Sequence, residues 1–119
     1  MLRLQLAVAV LVVCAPAQVS LASSSSIVQS GIASIYTSRS GPKTANGERV
    51  RSEVLTAAHR TFPFGTKVRV TNIGNGRSVV VRVNDRGPFV DGRIIDLTPA
   101  GAHALGFTGL ARVTVEISR

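Results

Sequence analysis

The chain has 119 residues, enough for one compact domain, and a formal net charge of +8 from 14 Lys and Arg against 6 Asp and Glu. A basic surface suits polyanions, but one Tyr, four Phe and no Trp leave few rings to stack on bases, and no DNA- or RNA-binding motif is recognisable. We therefore expect no nucleic acid partner. The single Cys excludes a disulfide within the chain.

The first residues have the order of an export signal. Arg3 precedes an apolar run from Leu4 to Val13, and an Ala-Pro-Ala sequence at 15–17 supplies small residues for cleavage. A helix over this run would be only ~15 Å long, about half of the hydrocarbon core of a bilayer. We expect a signal peptide over 1–17, with Ala22 as a later cleavage point, and an exported protein of the periplasm or cell envelope.

Cys14 leaves a second export route open. The preceding Leu-Val-Val loosely resembles a bacterial lipidation signal, in which the Cys becomes acylated. Those signals usually place Gly, Ala or Ser directly before the Cys, whereas Val13 is bulky. Ordinary cleavage, which discards Cys14, is therefore favoured, and an outer-membrane lipid anchor on Cys14 is the alternative.

The predicted elements begin after a Ser-rich segment. Residues 18–30 lack charge and periodicity, so we predict a flexible linker, followed by a folded domain over 31–119. Alternation of small or polar with apolar residues predicts a strand over Gly31–Thr37. An Asn-Gly pair at 46–47 indicates a turn. Leu55–Thr61 predicts a short helix, ended by the proline that follows.

The second half of the domain gives clearer signals. Four runs of alternating or β-branched residues predict strands: Lys67–Ile73, Ser78–Val83, Arg93–Leu97 and Ala111–Ser118. A Gly-Asn-Gly turn at 74–76 joins the first two as a hairpin. Thr98 is expected to cap a helix from Pro99 to Leu105 that Gly106 ends. Short strands with tight turns in a domain of this size predict a small β-barrel.

Six acids and two histidines are the groups that can transfer protons near neutral pH. Asp85 ends a hydrophobic strand in the sequence Asn-Asp-Arg-Gly-Pro, where it either caps the turn or projects from the barrel rim for chemistry. Arg86 beside it is a substrate clamp or an ion-pair partner. Asp96 follows two isoleucines within a strand, so we expect it to be buried against backbone N–H groups and structural.

Glu48 and His59 each allow two interpretations. Glu48 is a surface charge of the loop or a carboxylate of the site, and His59 is a hydrogen-bonded helix residue or a site base. We expect His103 and Glu116 on the surface. Because these groups lack the spacing of metal ligands, no metal site is predicted.

Several segments together resemble the rare lipoprotein A family of lytic transglycosylases. They are Gly31–Tyr36 (GIASIY), Thr44–Glu48 (TANGE), Leu55–His59 (LTAAH), Val68–Asn72 (VRVTN), Arg77–Phe89 (RSVVVRVNDRGPF) and Gly92–Leu97 (GRIIDL). The match covers nearly the whole predicted domain in the family's order, and its most specific part runs from Arg77 to Phe89. One departure is Ile35-Tyr36-Thr37, where the family commonly has Trp-Tyr-Gly, so one ring able to stack on sugar is missing.

The resemblance implies a mainly β fold, a six-stranded double-psi β-barrel with two short helices, as in expansins. It implies catalysis by Asp85 as the acid, with Glu48 and His59 beside it. Substrate contacts are expected from Tyr36, Asn46, Arg82, Arg86 and Arg93. The expected partner is the glycan strand of peptidoglycan, cleaved by a monomer without a cofactor or metal.

The reaction implied by the resemblance differs from glycoside hydrolysis, which uses two carboxylates. A lytic transglycosylase manages with one acid, because the C6 hydroxyl of muramic acid attacks its own anomeric carbon and leaves a 1,6-anhydro end. A basic groove would attract the lactyl carboxylate exposed on each peptide-free muramic acid. The alternative function is a non-catalytic, expansin-like module that binds wall polysaccharide in the same groove.

Overall fold

The computed structural model describes residues 9, 27–36 and 41–119. The predicted signal peptide (apart from residue 9), Cys14 and residues 18–26 of the predicted linker therefore lie outside the described residues. Within the described part, no helix is long and apolar enough to span a bilayer.

Six strands close into one barrel. They are β1 (Gln29–Ile35), β2 (Thr56–Ala58), β3 (Lys67–Asn72), β4 (Ser78–Asp85), β5 (Arg93–Leu97) and β6 (Ala111–Ile117). Their order around the barrel is β1-β5-β2-β4-β3-β6. Strands β1 and β5 are parallel neighbours, as are β2 and β4, and the remaining pairs are antiparallel. This closed, mixed barrel confirms the predicted fold class.

Alternation along the strands fills the barrel interior. Val68 and Val70 on β3 and Val81 and Val83 on β4 are at most 1% exposed, whereas Arg69 between the first two is exposed. Successive side chains of a strand point to opposite faces, so one face of each strand supplies the core and the other carries the charge. The basic residues of the strands therefore lie outside the barrel.

The single helix of the described residues, α1, spans Pro99–Leu105 as predicted. The Thr98 side chain accepts a hydrogen bond from the Gly101 N–H at 3.3 Å, and Pro99 occupies the first turn, where its missing N–H costs nothing. Gly106 ends the helix in the left-handed conformation, with φ of 71°. Local capping chemistry explains why this prediction is confirmed at both ends.

The second predicted helix, over Leu55–Thr61, is wrong. Thr56–Ala58 form β2, which pairs with β4 on one side and with β5 on the other. Ala57 and Ala58 are at most 1% exposed in this central position. Helix propensity of alanine is a weak preference, and two flanking strands override it here.

Other boundaries differ by a few residues. The first strand begins at Gln29, so the last two residues of the predicted 18–30 linker, Gln29 and Ser30, belong to the barrel and pair with β6. The predicted hairpin is present, with β3 and β4 antiparallel around the 74–76 turn. Strand β4 extends to Asp85, two residues further than predicted, and this extension carries the candidate acid to its position.

Candidate functional site

Asp85 is the last residue of β4 and is held by three hydrogen-bond donors. Its Oδ1 accepts from the backbone N–H of Ala45 at 2.9 Å and of Arg86 at 2.8 Å, and its Oδ2 accepts from the Tyr36 hydroxyl at 2.8 Å. The Arg86 contact is the turn bond that one interpretation of the sequence anticipated. The other two come from distant segments and fix the carboxylate at the rim, where it stays half-exposed.

Tyr36 is a buried donor to this carboxylate. The residue is 7% exposed, and burial is the largest of the causes that raise its pKa above the ordinary value of 10.0. The hydrogen bond to Asp85 and the charges of Asp85 and Asp96 raise the pKa further. Tyr36 therefore remains a neutral phenol that donates to Asp85 at any physiological pH.

Asp96 joins Asp85 at the same place in the fold. Ala58 on β2 pairs with Asp85 on β4 and with Asp96 on β5, so the two acids flank it. Asp96 is partly exposed, and its Oδ1 accepts a short hydrogen bond from the Ser34 hydroxyl rather than from backbone N–H groups as expected. Burial, assisted by the charge of Asp85, raises its pKa against the opposing effects of Ser34 and Arg93.

Sequence reasoning missed both Asp96 and Phe89 as parts of this region. A Cβ on Gly87 would lie 3.5 Å from Phe89 Cε2 and 4.0 Å from Asp96 Oδ2, so both the ring and the carboxylate lie close to Gly87. The Phe89 side chain is 81% exposed. Alternation along the strand could have predicted the position of Asp96. Its neighbours Ile95 and Leu97 face the core, so the Asp96 side chain must face outward.

Glu48 forms a separate cluster on the outer side of β4. Arg82 donates to both of its carboxylate oxygens, at 2.5 and 2.8 Å. The Asn46 amide donates to Oε1 at 2.7 Å, and the Asn84 amide to Oε2 at 3.4 Å. These bonds, led by that of Arg82, lower the pKa of Glu48 from 4.5 to about 2. Glu48 is thus an ionised anchor for its loop.

The loop that Glu48 anchors is the one that reaches Asp85. Thr44 N–H donates to the Glu48 carbonyl at 2.8 Å, and the Asn46 Oδ1 accepts from the Glu48 N–H at 3.0 Å. Between them lies Ala45, whose N–H binds Asp85. The structure therefore connects Glu48 and Asn46 to Asp85 through the loop backbone, and the Asn46 and Arg82 side chains are engaged within the protein.

His59 follows β2 and is 3% exposed. Its Nδ1 accepts from the N–H groups of Thr61 at 3.2 Å and Phe62 at 3.0 Å, and its Nε2 lies 2.8 Å from Gln29 Oε1. The ring stacks on Phe62 with centroids 3.8 Å apart. Burial, with the charges of Arg60 and Arg86, lowers the pKa of His59, so the imidazole is neutral.

Arg86 and Arg93 have different surroundings. The Arg86 guanidinium donates to the carbonyls of His59 and Phe62, at 3.3 and 2.8 Å, and lies 4.0 Å over the Phe64 ring. Arg86 thereby holds the segment after β2 in place. Arg93 lines a cavity of about 460 Å³ together with Ser34, the partner of Asp96. Of the two arginines, Arg93 is the one directed towards open space beside an acid.

No group of three or more His, Cys, Asp or Glu side chains in the described ranges is arranged to hold a metal ion. What the region offers is acid–base chemistry at a rim. It has one half-exposed carboxylate fixed by three donors, a second carboxylate with a raised pKa, a neutral phenol and a neutral imidazole in the adjoining segment.

Comparison with protein families and curated proteins gives a consistent result. A family model described as a lytic transglycolase matches residues 28–117. The probable endolytic peptidoglycan transglycosylase RlpA of Synechocystis sp. is 55% identical over 93 residues, which are 76% of this chain and 29% of that protein. The endolytic peptidoglycan transglycosylase RlpA of Neisseria meningitidis is 54% identical over 91 residues, 74% of this chain and 38% of that protein. This chain thus spans well under half of those relatives.

Solved structures show the same fold. The Streptomyces papain inhibitor superposes with a TM-score of 0.62 at 25% identity, over 77% of this chain and 94% of that one. A mutant of Clavibacter michiganensis expansin in complex with cellohexaose superposes with a TM-score of 0.61 at 22% identity, over 78% of this chain and 51% of that one. At that identity the likeness to the expansin concerns the fold alone.

Proposed function

Since this chain belongs to the lytic transglycolase family, we propose that it is an endolytic peptidoglycan transglycosylase, which cleaves peptide-free glycan strands between N-acetylmuramic acid and N-acetylglucosamine. Relatives that are 54–55% identical over the matched residues carry the name endolytic peptidoglycan transglycosylase, or probable endolytic peptidoglycan transglycosylase. The structural observation that carries the proposal is the fixed, half-exposed Asp85 carboxylate with Tyr36 and the Ala45 N–H bound to it.

The proposed reaction has two proton transfers through Asp85. The Asp85 carboxyl gives its proton to the glycosidic oxygen as the bond from that oxygen to the muramic acid C1 breaks. The C6 hydroxyl oxygen of the same sugar then bonds to C1, and the Asp85 carboxylate takes the hydroxyl proton. Asp85 ends in its starting state, no water is consumed, and the products are a free C4 hydroxyl and a 1,6-anhydro end.

In this proposal the other two predicted catalytic residues, Glu48 and His59, hold the segments around Asp85 in place and do not touch the reacting atoms. Glu48 holds the loop whose Ala45 N–H binds Asp85, and His59 organises the segment after β2 by accepting two backbone N–H bonds. Such residues keep an acid within reach of the scissile oxygen, and small displacements are costly in rate. Arg93 and Phe89 are the outward-facing side chains beside the acids that are available to touch sugar.

A peptidoglycan substrate implies a location in the cell envelope. We propose export by the signal peptide predicted over 1–17, with a periplasmic product, and lipidation of Cys14 as the alternative. Mass spectrometry of the protein from envelope fractions would identify the new N-terminus or the acylated Cys14. An uncleaved chain in the cytosol would contradict both.

The activity is tested on peptide-free glycan strands. The wild-type protein is expected to release fragments with 1,6-anhydro ends, detected by mass spectrometry, and Asp85→Asn is expected to release none. No anhydro product from the folded wild type would refute the reaction. Equal product from both proteins would refute the role of Asp85 and leave the reaction intact.

A non-catalytic wall-binding module is the second candidate, favoured by one observation. Phe89 presents an 81% exposed ring beside the acids, as a sugar-binding surface would. Pull-down on the same strands, with Phe89→Ala as the comparison, tests binding independently of turnover. Binding that depends on Phe89 without any anhydro product would support this candidate over the enzyme.

A further inference from the structure

A basic cavity lies on the outer side of β4, and neither Asp85 nor Asp96 lines it. Its volume is about 320 Å³, and its walls are Glu48, Arg49, Arg51, Val54 and Arg82. The loop that contacts Asp85 through Ala45 continues directly into this wall. The cavity is therefore built from the same loop as the candidate site, without sharing its acids.

The charges of this cavity are unequal. The carboxylate of Glu48 and the guanidinium of Arg82 neutralise each other through two hydrogen bonds. Arg49 and Arg51 are exposed, and neither has an ion pair with an acidic side chain of the described residues. Two guanidinium groups therefore face the cavity without a counter-charge, and a guanidinium binds a carboxylate through two parallel hydrogen bonds.

We propose that this cavity binds the lactyl ether of a peptide-free muramic acid, with its carboxylate on Arg49 and Arg51 and its methyl group against Val54. The inference rests on the proposed substrate and identifies the residues of the protein that would recognise muramic acid. A lactyl group is anionic at one end and apolar at the other, which matches the two free arginines and the valine that line the cavity. A GlcNAc residue has no such group, so the cavity distinguishes the two sugars of the strand.

The position of the cavity suits a strand that crosses Asp85. Arg82 precedes Asp85 by three residues on β4, a distance of ~10 Å along a strand. That is comparable to the length of one disaccharide of an extended glycan. The lactyl group bound in the cavity therefore belongs to a muramic acid close to the cleaved bond, rather than to a remote part of the polymer.

The same arrangement predicts selection against strands that carry peptides. A stem peptide is attached to the lactyl carboxylate as an amide, which removes the negative charge and adds bulk at that atom. An amide offers one acceptor oxygen and no charge to Arg49 and Arg51, so the bidentate bonds are lost. Peptide-bearing strands should bind as weakly as strands without lactyl groups.

Calorimetric binding at low salt tests the proposal on the Asp85→Asn protein, which keeps the strand intact. The probes are peptide-free GlcNAc–MurNAc oligosaccharides and chitin oligosaccharides of equal length, which differ only in the lactyl groups. Arg49→Gln with Arg51→Gln is expected to weaken binding of the first probe about tenfold or more, since charged hydrogen bonds are lost. Binding of chitin oligosaccharides should not change.

The matched control is Arg112→Gln, which removes one positive charge from β6, outside the cavity. It is expected to leave both affinities within about twofold. Equal affinity of the double Arg variant and its parent for the muramic acid probe would overturn the proposal. Equal affinity of the parent for the probe and for its lactyl methyl ester would also overturn it.

This binding assay is independent of turnover. If the wild-type protein makes no anhydro product yet shows lactyl-dependent binding through Arg49 and Arg51, the enzymatic proposal fails and the cavity assignment stands. If the wild-type protein makes anhydro product but the double Arg variant binds the muramic acid probe normally, the cavity assignment fails and the enzymatic proposal stands. Thermal unfolding of each variant confirms that the exposed substitutions leave the fold intact.

Discussion

Glu48 binds Arg82 through both carboxylate oxygens, at 2.5 and 2.8 Å, and turns its side chain towards the outer side of β4. The connection between Glu48 and Asp85 runs instead through the backbone, since Ala45 in the same loop donates its N–H to Asp85. A carboxylate that was expected beside the acid therefore acts as the anchor of the segment that touches it.

Glu48→Gln should make unfolding less sensitive to acid. The folded pKa of about 2 lies below the unfolded value of 4.5, so the ion pair stabilises the fold fully above pH 4.5 and loses this effect as the pH falls towards 2. The wild type should lose stability through that window more steeply than Glu48→Gln. Urea unfolding at pH 2 to 7 measures the difference.

Glu53→Gln is the matched control, because Glu53 is an exposed glutamate of the following segment. It should follow the wild-type pH dependence. Identical curves for Glu48→Gln and the wild type would show that the Arg82 pair contributes no pH-dependent stability.

Tyr36 and Asp85 should be energetically coupled. Tyr36→Phe removes the hydroxyl that donates to Asp85 Oδ2 at 2.8 Å, a hydrogen bond to a charged group. In a double-mutant cycle with Asp85→Asn, the free energy of unfolding at pH 7 should show a coupling of about 1.5 kcal/mol. The cycle of Tyr36→Phe with Asp96→Asn should give a smaller value. Additive effects in the first cycle would contradict the bond.

Asp96→Asn should change how stability varies with pH. Burial and the charge of Asp85 raise the folded pKa of Asp96 above its ordinary 3.8, so the group favours folding fully below pH 3.8 and loses this effect as the pH rises through its folded pKa. The stability of the wild type relative to Asp96→Asn should therefore fall as the pH rises from 3 to 8. Thermal unfolding in that range measures it, and a relative stability that rises would contradict the assignment.

His59 should be a neutral imidazole with its proton on Nε2. Its Nδ1 accepts two backbone N–H bonds and so must carry the lone pair, which leaves Nε2–H to donate to Gln29 Oε1. Long-range ¹H–¹⁵N NMR spectra should show this tautomer at pH 7 and should show it persisting below pH 6.5, the ordinary pKa of the group. Exposed His103 provides the internal comparison. Protonation of Nδ1 at pH 7 would contradict the arrangement.

Thr98→Ala should lower the free energy of unfolding by about 1 kcal/mol. The hydroxyl accepts from Gly101 N–H at 3.3 Å and donates to the Val54 carbonyl at 2.5 Å, so both the helix cap and a link to a distant loop are lost. Thr98→Ser keeps the hydroxyl and should retain most of the stability. Chemical denaturation compares the two, and equal losses would mean that the methyl group matters rather than the hydrogen bonds.

The parts of the fold that were predictable are those with local causes. Thr98, Pro99 and Gly106 define α1 through capping chemistry that needs no tertiary partner. Strand β2 has no such local signal, because Thr56–Ala58 become a strand only by pairing with β4 and β5. Local propensity favoured a helix there, and long-range pairing decided otherwise.

The candidate site shows the same division. Asp85 was identifiable because a hydrophobic strand ends at it, and the family motif surrounds it. The contacts of Asp85 could not be predicted, because Tyr36 lies 49 residues away in sequence and Ala45 lies 40 residues away. The pairing of Glu48 with Arg82, 34 residues apart in sequence, likewise had no local signal.

Ala58, paired with both acids, determines how far apart they lie. Neighbouring strands are ~4.8 Å apart, so two strands that flank a third hold their Cα atoms ~10 Å apart. That separation is maintained by backbone hydrogen bonds of β2 and not by the identity of the packed valines and leucines. The interior of the barrel can therefore exchange apolar side chains over evolutionary time while the spacing of the two carboxyl groups stays constant.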